Sequence, residues 1–452
     1  MTFQETVMTG LARDGGLFLP IRIPDVRSYL SLWKTLSYRD LAFEIMRLYT
    51  DIPDVDLRNL TNRSYSAFRH PEVTPVVSVN GIHILELFHG PTLSFKDVAL
   101  QWLGLLFDYW LSKSGQNLNI LAATSGDTGS AAIYGVKGRQ RMKIFVLYPY
   151  GKISPIQERQ MTTVPDNNVF CIAVEGSFDD CQNVAKTIFR DLAFKDRCVL
   201  GAVNSINWAR ILAQIVYYFY AAFRVMEQCG AEYVRFAVPT GNFGDIFAGY
   251  LACRMGLPVK KLVLASNEND ILSRFFKTGV YKRSAVRSTI SPSMDIQIAS
   301  NFERYLYYHV GEDPQKVCRL MNQFAETGEL TIDLCGGELD PLFAAGFSDD
   351  KTTIATIRDW YLKTGYLLDP HTAVGVHVAQ DCLHPDEPMI CLATAHPAKF
   401  ADVIHEATGR NIAHHTILDA LKDIPARSTV LPASIEAVCA FIEKNVKNKE
   451  FV

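Results

Sequence analysis

From Asn117 onward, short apolar runs alternate with Gly-containing turns and with segments whose apolar positions recur every three or four residues. That rhythm predicts an α/β fold. NILAA (from Asn119), KIFVLYP (from Lys143), VFCIAVEG (from Val169), VRFAVPT (from Val234), KKLVLASN (from Lys260) and MICLATA (from Met389) read as buried strands, rich in Val, Ile, Leu and Phe. Helical crossovers between such strands make the sheets mostly parallel. AKTIFRDLAF, ARILAQIVYYFYAAFRVMEQ and DIFAGYLACRMG carry the helical period, the last ended by Gly256 and Pro258. Residues up to about 90 read as a helical N-terminal segment punctuated by Pro53 and Pro71, and the stretch from about 300 to 385 is again mainly helical.

The chain has 452 residues, enough for about three domains or one large two-lobed body with a sizeable core. Lys plus Arg number 45 and Asp plus Glu 48, a formal net charge of −3. A dedicated nucleic-acid binder is usually more basic, so no nucleic-acid partner is expected. The longest near-apolar run, Ile211 to Phe223, is interrupted by Gln214 and fenced by Arg210 and Arg224. It is too short to span a bilayer and reads as a buried helix, so no membrane association is expected. None of the ten cysteines falls at CxxC spacing, and the opening MTFQETVMTGLARDGG has the composition of neither a signal nor a transit peptide. A cytoplasmic protein with reduced thiols is the expectation.

Five clusters carry candidate chemistry. In HGPTLSFKDVALQW (89–102), a Gly-Pro turn leads to Lys96 at the start of an apolar-periodic helix. The positive end of the helix dipole disfavours an ammonium there, which suits a Schiff-base lysine; the plainer alternative is a solvated lysine paired with Asp97. In LAATSGDTGSAA (121–132), Thr124, Ser125, Asp127 and Thr128 crowd the C-terminal end of a strand, where helix amides and small hydroxyls gather anions. A simple N-cap explains the same residues about as well. AVPTGNFGDIFAGY (237–250) has the form of a phosphate cup without the marks of a nucleotide loop, although Asp245 would repel an anion unless it points away. VNSINWARI (203–211), with GKISP (151–155) upstream, offers Ser205, Asn207, Arg210 and Lys152 for a second anion, or merely a capped helix. In LATAHPAKF (392–400), Thr394 ends a strand and could face a ring nitrogen, or bond only to backbone. DPHTAVG (369–375) is equally open, because His371 and His377 lack acidic partners at metal-ligand spacing; no metal site is assigned.

In this order, SFKD, TSGDTGSAA, GNFGD and ATAHPAKF resemble the fold-type-II pyridoxal-phosphate enzymes, and among them the threonine synthase family of the longer bacterial and fungal kind. GLARDGGLFLP (10–20), SPSMDIQIASNFERYL (291–306) and DPHTAVG extend the resemblance over nearly the whole chain, while the family's usual opening Tyr-x-Ser-Thr-Arg-Gly is not in the sequence. The resemblance implies an α/β, tryptophan synthase β-like fold: two open, mostly parallel sheets flanked by helices, plus the helical N-terminal segment. It implies three regions, an N-terminal segment (1–90), a cofactor-lysine region with a small mobile α/β domain (91–230) and a large cofactor-phosphate domain (231–452). A lobe within 110–220 would close over the substrate.

It also implies roles. Lys96 would attach pyridoxal 5'-phosphate and shuttle protons. Gly241, Asn242, Phe243 and Gly244 would cradle the cofactor phosphate, and Thr394 would hydrogen-bond the pyridine nitrogen without enforcing its protonation. Thr124, Ser125, Asp127 and Thr128 would hold the α-amino-acid end of the substrate, chiefly its carboxylate. Lys152, Ser205, Asn207 and Arg210 would bind the substrate phosphate. The implied reaction turns O-phospho-L-homoserine and water into L-threonine and phosphate, a lyase with β,γ-replacement chemistry in a monomer or homodimer. A related phospholyase, which would release a 2-oxo acid, is the alternative.

Overall fold

The computed structural model describes residues 1–124 and 126–447. Its strands, in chain order, are β1 (Val76–Val79), β2 (Ile82–Glu86), β3 (Leu118–Ala123), β4 (Met142–Pro149), β5 (Val169–Glu175), β6 (Leu200–Gly201) and β7 (Val234–Pro239). There follow β8 (Val259–Ser266), β9 (Val280–Lys282), β10 (Glu329–Thr331), β11 (Phe343–Phe347), β12 (Met389–Ala393) and β13 (Thr429–Pro432). They form a large sheet of order β1-β2-β12-β7-β8-β11, a smaller one of order β13-β5-β4-β3-β6, and the pair β9-β10. The small sheet is wholly parallel, and in the large sheet only the hairpin β1-β2 runs antiparallel. All six strands read from apolar runs are present. Each is buried along much of its length because helices cover the sheet faces.

The helix Trp208–Cys229 is the spine of the main core. Ala209 to Phe223 are all buried, so its apolar residues go round the whole circumference, as expected for a core helix. The helix Lys96–Ser114 and the helix Asp127–Val136 cross at two glycines. A Cβ on Gly104 would lie 2.0 Å from the carbonyl oxygen of Gly135, and only hydrogen there lets the backbones meet. That crossing sets the start of one helix, Lys96, beside the start of the other, Asp127.

Strand pairing crosses the consecutive regions of the chain at both ends. The helices of the first 66 residues are followed by the hairpin β1-β2, which joins the large sheet through β2 and β12. A hairpin read as part of a helical segment escaped notice because β1 and β2 are short, four and five residues. Conversely β13 pairs with β5, and the helix Ile435–Lys447 packs on the helix Phe178–Arg190, so the end of the chain returns to the small sheet. Sheet membership follows pairing across long sequence separations, which local apolar periodicity does not report. Among the described residues no helix is long and apolar enough to cross a membrane.

Candidate active site

Lys96 opens the helix Lys96–Ser114 and is only 9% exposed. Its Nζ lies 3.6 Å from Asp127 Oδ2 and donates to Ser293 Oγ at 3.5 Å. Burial pushes its pKa down, the Asp127 carboxylate pulls it back up, and the nearby cations Lys399 and Arg210 push it down again. The solvated pair with Asp97 does not form: the Asp97 carboxylate instead accepts from the amide and the hydroxyl of Thr92, both at 2.8 Å. Lys96 is therefore a desolvated amine poised for nucleophilic and proton-transfer work.

The turns at the strand ends are zipped to each other. Phe95 N donates to the carbonyl of Thr394 at 2.8 Å, and Ser94 and Ala395 form an antiparallel bridge. The loop after β12 is thus held against the loop carrying Lys96. Thr394 is buried, and the nearby buried Ser94 Oγ has no hydrogen-bond partner among the described residues.

Gly241, Asn242, Phe243 and Gly244 follow β7 and lead into the helix Gly244–Arg254. Phe243 adopts φ +62, held there by rings: it stacks on Phe276 at 5.9 Å and meets Phe302 edge-on at 5.8 Å. A Cβ on Gly241 would come within 2.4 Å of the Ser293 carbonyl oxygen, which brings the segment 291–294 against the cup. The Asn242 carbonyl accepts from the amide and side chain of Asn301, at 3.1 and 3.0 Å. The amides of Asn242, Gly244 and Asp245 find no partner among the described residues. Free amides at a helix N-terminus are what a phosphate takes up, so the loop fits a phosphorylated cofactor. Asp245 does point away, accepting from Tyr217 Oη at 2.5 Å and Tyr218 Oη at 2.9 Å, and burial raises its pKa to about 6.

The corner after β3 departs from its expected role. Thr124 Oγ1 accepts from the amides of Gly126 and Gly129, at 3.1 and 2.9 Å, and so caps the turn. Ser125 lies outside the described residues. The Asp127 carboxylate does not await an anion: it is buried between Lys96 and Lys399, with Lys399 Nζ 2.7 Å from Oδ1 and Gln157 Nε2 donating to the same oxygen at 2.9 Å. Two cations hold it far below the usual carboxylate range. A carboxylate so placed would repel another, so its assignment to the substrate carboxylate is corrected to that of an ammonium partner. The amides of Asp127 and Thr128, by contrast, have no partner among the described residues and remain available at the helix N-terminus.

Arg210 is buried in the first turn of the spine helix. It donates to the Val203 carbonyl at 3.3 Å, and among the described residues no carboxylate pairs with it. Burial lowers its pKa to about 10. Asn207 accepts from Ala209 N at 3.1 Å and donates to the Val7 carbonyl at 2.9 Å, and so caps the helix. Ser205 contacts Ser300 at 2.9 Å, and Ser300 donates to Asn242 Oδ1 at 3.2 Å, which links the Arg210 segment to the phosphate cup. Lys152 is not gathered beside Arg210; it is exposed after β4, and its charge acts on Asp180 and Cys181.

Sequence reasoning passed over three members of this site. Lys399 lies inside LATAHPAKF, Ser293 inside SPSMDIQ and His371 inside DPHTAVG. His371 Nε2 accepts from Ser293 N at 3.2 Å, which places the ring proton on Nδ1, facing Asp369 Oδ1 at 2.9 Å. The signal was available as membership of the quoted segments, but nothing local tied them to Lys96.

Three family descriptions match the chain in succession: "Threonine synthase N terminus" over residues 1–65, "Pyridoxal-phosphate dependent enzyme" over 68–339 and "Threonine synthase, C-terminal" over 372–442. A threonine synthase of Schizosaccharomyces pombe is 46% identical over 97% of this chain and 91% of that protein. That of Saccharomyces cerevisiae is 49% identical over 90% of this chain and 86% of that protein. The crystal structure of a pyridoxal-phosphate-bound threonine synthase from Brucella melitensis superposes with a TM-score of 0.94 at 45% identity, covering 99% of this chain and 97% of that one.

Proposed function

We infer, from a chain that belongs to the threonine synthase family of pyridoxal-phosphate-dependent lyases, that it converts O-phospho-L-homoserine and water into L-threonine and phosphate. The observation that carries this substrate is Arg210, a buried cation with no carboxylate partner among the described residues, in the first turn of a helix whose preceding loop reaches the cofactor cup. A dianionic phosphate supplies the missing counter-charge.

The site residues fit the cofactor. Lys96 would attach it, the free amides of Asn242, Gly244 and Asp245 would take its phosphate and the buried Thr394 hydroxyl would meet the ring nitrogen. When bound, pyridoxal phosphate supplies an electron sink that stabilises negative charge built up on the substrate carbon skeleton. Lys96 would take the proton from Cα, since burial and the neighbouring cations Lys399 and Arg210 lower its proton affinity and make the free amine easier to reach. The amides of Asp127 and Thr128, with the half-buried Thr128 hydroxyl, hold the substrate carboxylate at a helix N-terminus. Arg210 would orient the phosphate on Cγ, which leaves as Cβ loses a proton, and keep it in the site while water adds its hydroxyl at Cβ and a proton returns to Cγ. Lys152, at the C-terminal edge of β4, joins Arg210 when the small-sheet lobe closes, and closure excludes competing water. Thr124 and Asn207 shape the two turns.

All ten cysteines are free, which suits a reducing compartment and supports the reading of a cytoplasmic protein, proposed as a monomer or homodimer. The test is incubation of the purified protein with pyridoxal phosphate and O-phospho-L-homoserine, following phosphate, threonine and 2-oxo acid together. Threonine equal to phosphate is the expected result. Phosphate accompanied by a 2-oxo acid would make it a phospholyase instead.

A further inference from the structure

Lys399 is a second buried lysine at this site, 1% exposed and drawn from the far end of the chain. Its Nζ donates to the Thr92 carbonyl at 2.9 Å and sits 2.7 Å from Asp127 Oδ1. Thr92 is itself fastened to Asp97, next to Lys96, and its carbonyl also accepts from Gln160 Nε2 at 3.0 Å. Lys399 thereby staples three loops: the turn before Lys96, the corner holding Asp127 and the segment after Thr394. Gln157 shares its hold on Asp127 Oδ1, so one oxygen of that carboxylate is fully engaged. The other, Oδ2, makes a loose ion pair with Lys96 at 3.6 Å, against 2.7 Å for Lys399 on Oδ1, and the Lys96 amine also reaches Ser293 Oγ at 3.5 Å.

We propose that Lys399 is the positioning residue of the Lys96 amine: by holding Asp127 through Oδ1 it divides that carboxylate between two cations and prevents it from closing on Lys96 and locking it as an ammonium. The inference rests on Lys96 being the cofactor lysine and deepens that reading. The charged groups acting on Lys96 are Asp127, which favours its ammonium, and Lys399 and Arg210, which oppose it. Asp127 alone would be an ordinary buried ion-pair partner, holding Lys96 protonated when a base is needed. With Lys399 in place the same carboxylate serves as a loose partner for the free Lys96 amine.

The test measures the proton on Lys96 directly. The full chain, freed of cofactor, is labelled with a small acylating reagent across a range of pH, and Lys96 labelling is read by peptide mass spectrometry. Lys399→Gln removes the charge but keeps a donor for Thr92 and Asp127; it is expected to raise the half-labelling pH of Lys96 by about one unit or more. Lys399→Arg, which keeps the charge, is expected to return it toward the wild-type value. A purely structural staple would leave the Lys96 half-point unmoved in every folded variant, and an unchanged or lowered half-point in Lys399→Gln overturns the proposal. If Lys399→Gln does not fold, the wild-type peptide maps decide: Lys399 must stay unlabelled while Lys96 reacts, and labelling of Lys399 at or below the Lys96 half-point overturns it. Borohydride reduction of the cofactor-loaded protein separates the two readings. Cofactor fixed on Lys96 with no shift in labelling refutes the role of Lys399 alone, whereas cofactor fixed on another lysine refutes the assignment of Lys96.

Discussion

Two corners of the molecule are written in the same grammar and come to opposite electrostatic ends. After β3, Gly126 leads into a helix whose first residue is Asp127; after β7, Gly244 opens a helix whose second residue is Asp245. Both aspartates are buried. Asp127 is set between two lysines and a glutamine, and its pKa falls far below the ordinary carboxylate value. Asp245 is set between two phenols, with Oδ2 left unpartnered, and its pKa rises to about 6. The helix dipole favours a carboxylate at both positions, and burial opposes it at both. What differs is the chemistry that tertiary packing delivers: ammonium groups at one corner, hydroxyls at the other. The first corner stays charged and can manage the proton of Lys96. The second carries less negative charge near neutral pH and leaves the phosphate cup free for an anion.

The largest break in this comparison is at the lysine the first corner serves. Lys96→Ala is expected to lower turnover by about 10⁴-fold or more, with loss of the absorbance of attached cofactor, while the thermal transition stays cooperative. Retained turnover would remove Lys96 from the mechanism. Next come the two aspartates themselves. Asp127→Asn strands Lys399 as a buried charge and is expected to cost about 3–5 kcal/mol in chemical denaturation, whereas Asp245→Asn, which keeps an acceptor for the tyrosines, is expected to cost less than about 1 kcal/mol at neutral pH. Equal losses would mean that the two corners do not differ in charge.

A pH series sharpens the same contrast, because the two groups contribute with opposite sign. Asp245 has its folded pKa raised from 3.8 to about 6, so its stabilising contribution is complete below pH 4 and is lost as pH rises through 6, a change of about 3 kcal/mol. Asp127 has its folded pKa depressed, so its contribution is present above pH 4 and is lost as pH falls toward the folded pKa. Urea titrations of wild type and Asp245→Asn between pH 4 and 7 are expected to diverge, with the variant gaining relative stability as pH rises.

Smaller effects test the anion site. Arg210→Met is expected to lower kcat/KM for O-phospho-L-homoserine about 10- to 100-fold and to weaken inhibition by inorganic phosphate in step, as loss of one charge-assisted hydrogen bond requires. Lys152→Ala is expected to change kcat/KM by about fivefold or less, since the side chain is exposed and screened.

Much of this was legible from the chain. Short apolar runs with Gly turns gave the six main strands, because burial between helix layers demands continuous Val, Ile and Leu. Lys96, the cup at 241–244, Thr394 and Arg210 were legible because each stands at a strand end or a helix start, where backbone amides are free. The hairpin β1-β2 was not, being too short to declare a period, and β13 was not, because it pairs with β5 more than 250 residues earlier. Lys399 and Ser293 were passed over for the same reason: neither has a local signature, and both acquire meaning only beside Lys96.

The sequence by itself determined the α/β class, the order of the strand–turn–helix corners and the candidate lysine at a helix start, since these depend on periodicity and on backbone rules that act within a few residues. Only the tertiary structure decided what each charged group faces. Asp127 looked like a ligand for an anion and became the partner of two lysines; Asn207 caps its helix and is tied to Val7; Asp245 turned from the phosphate toward two tyrosines. Electrostatic meaning in a buried site is set by neighbours a few ångströms away, and for these residues most of those neighbours lie tens to hundreds of positions distant in the chain.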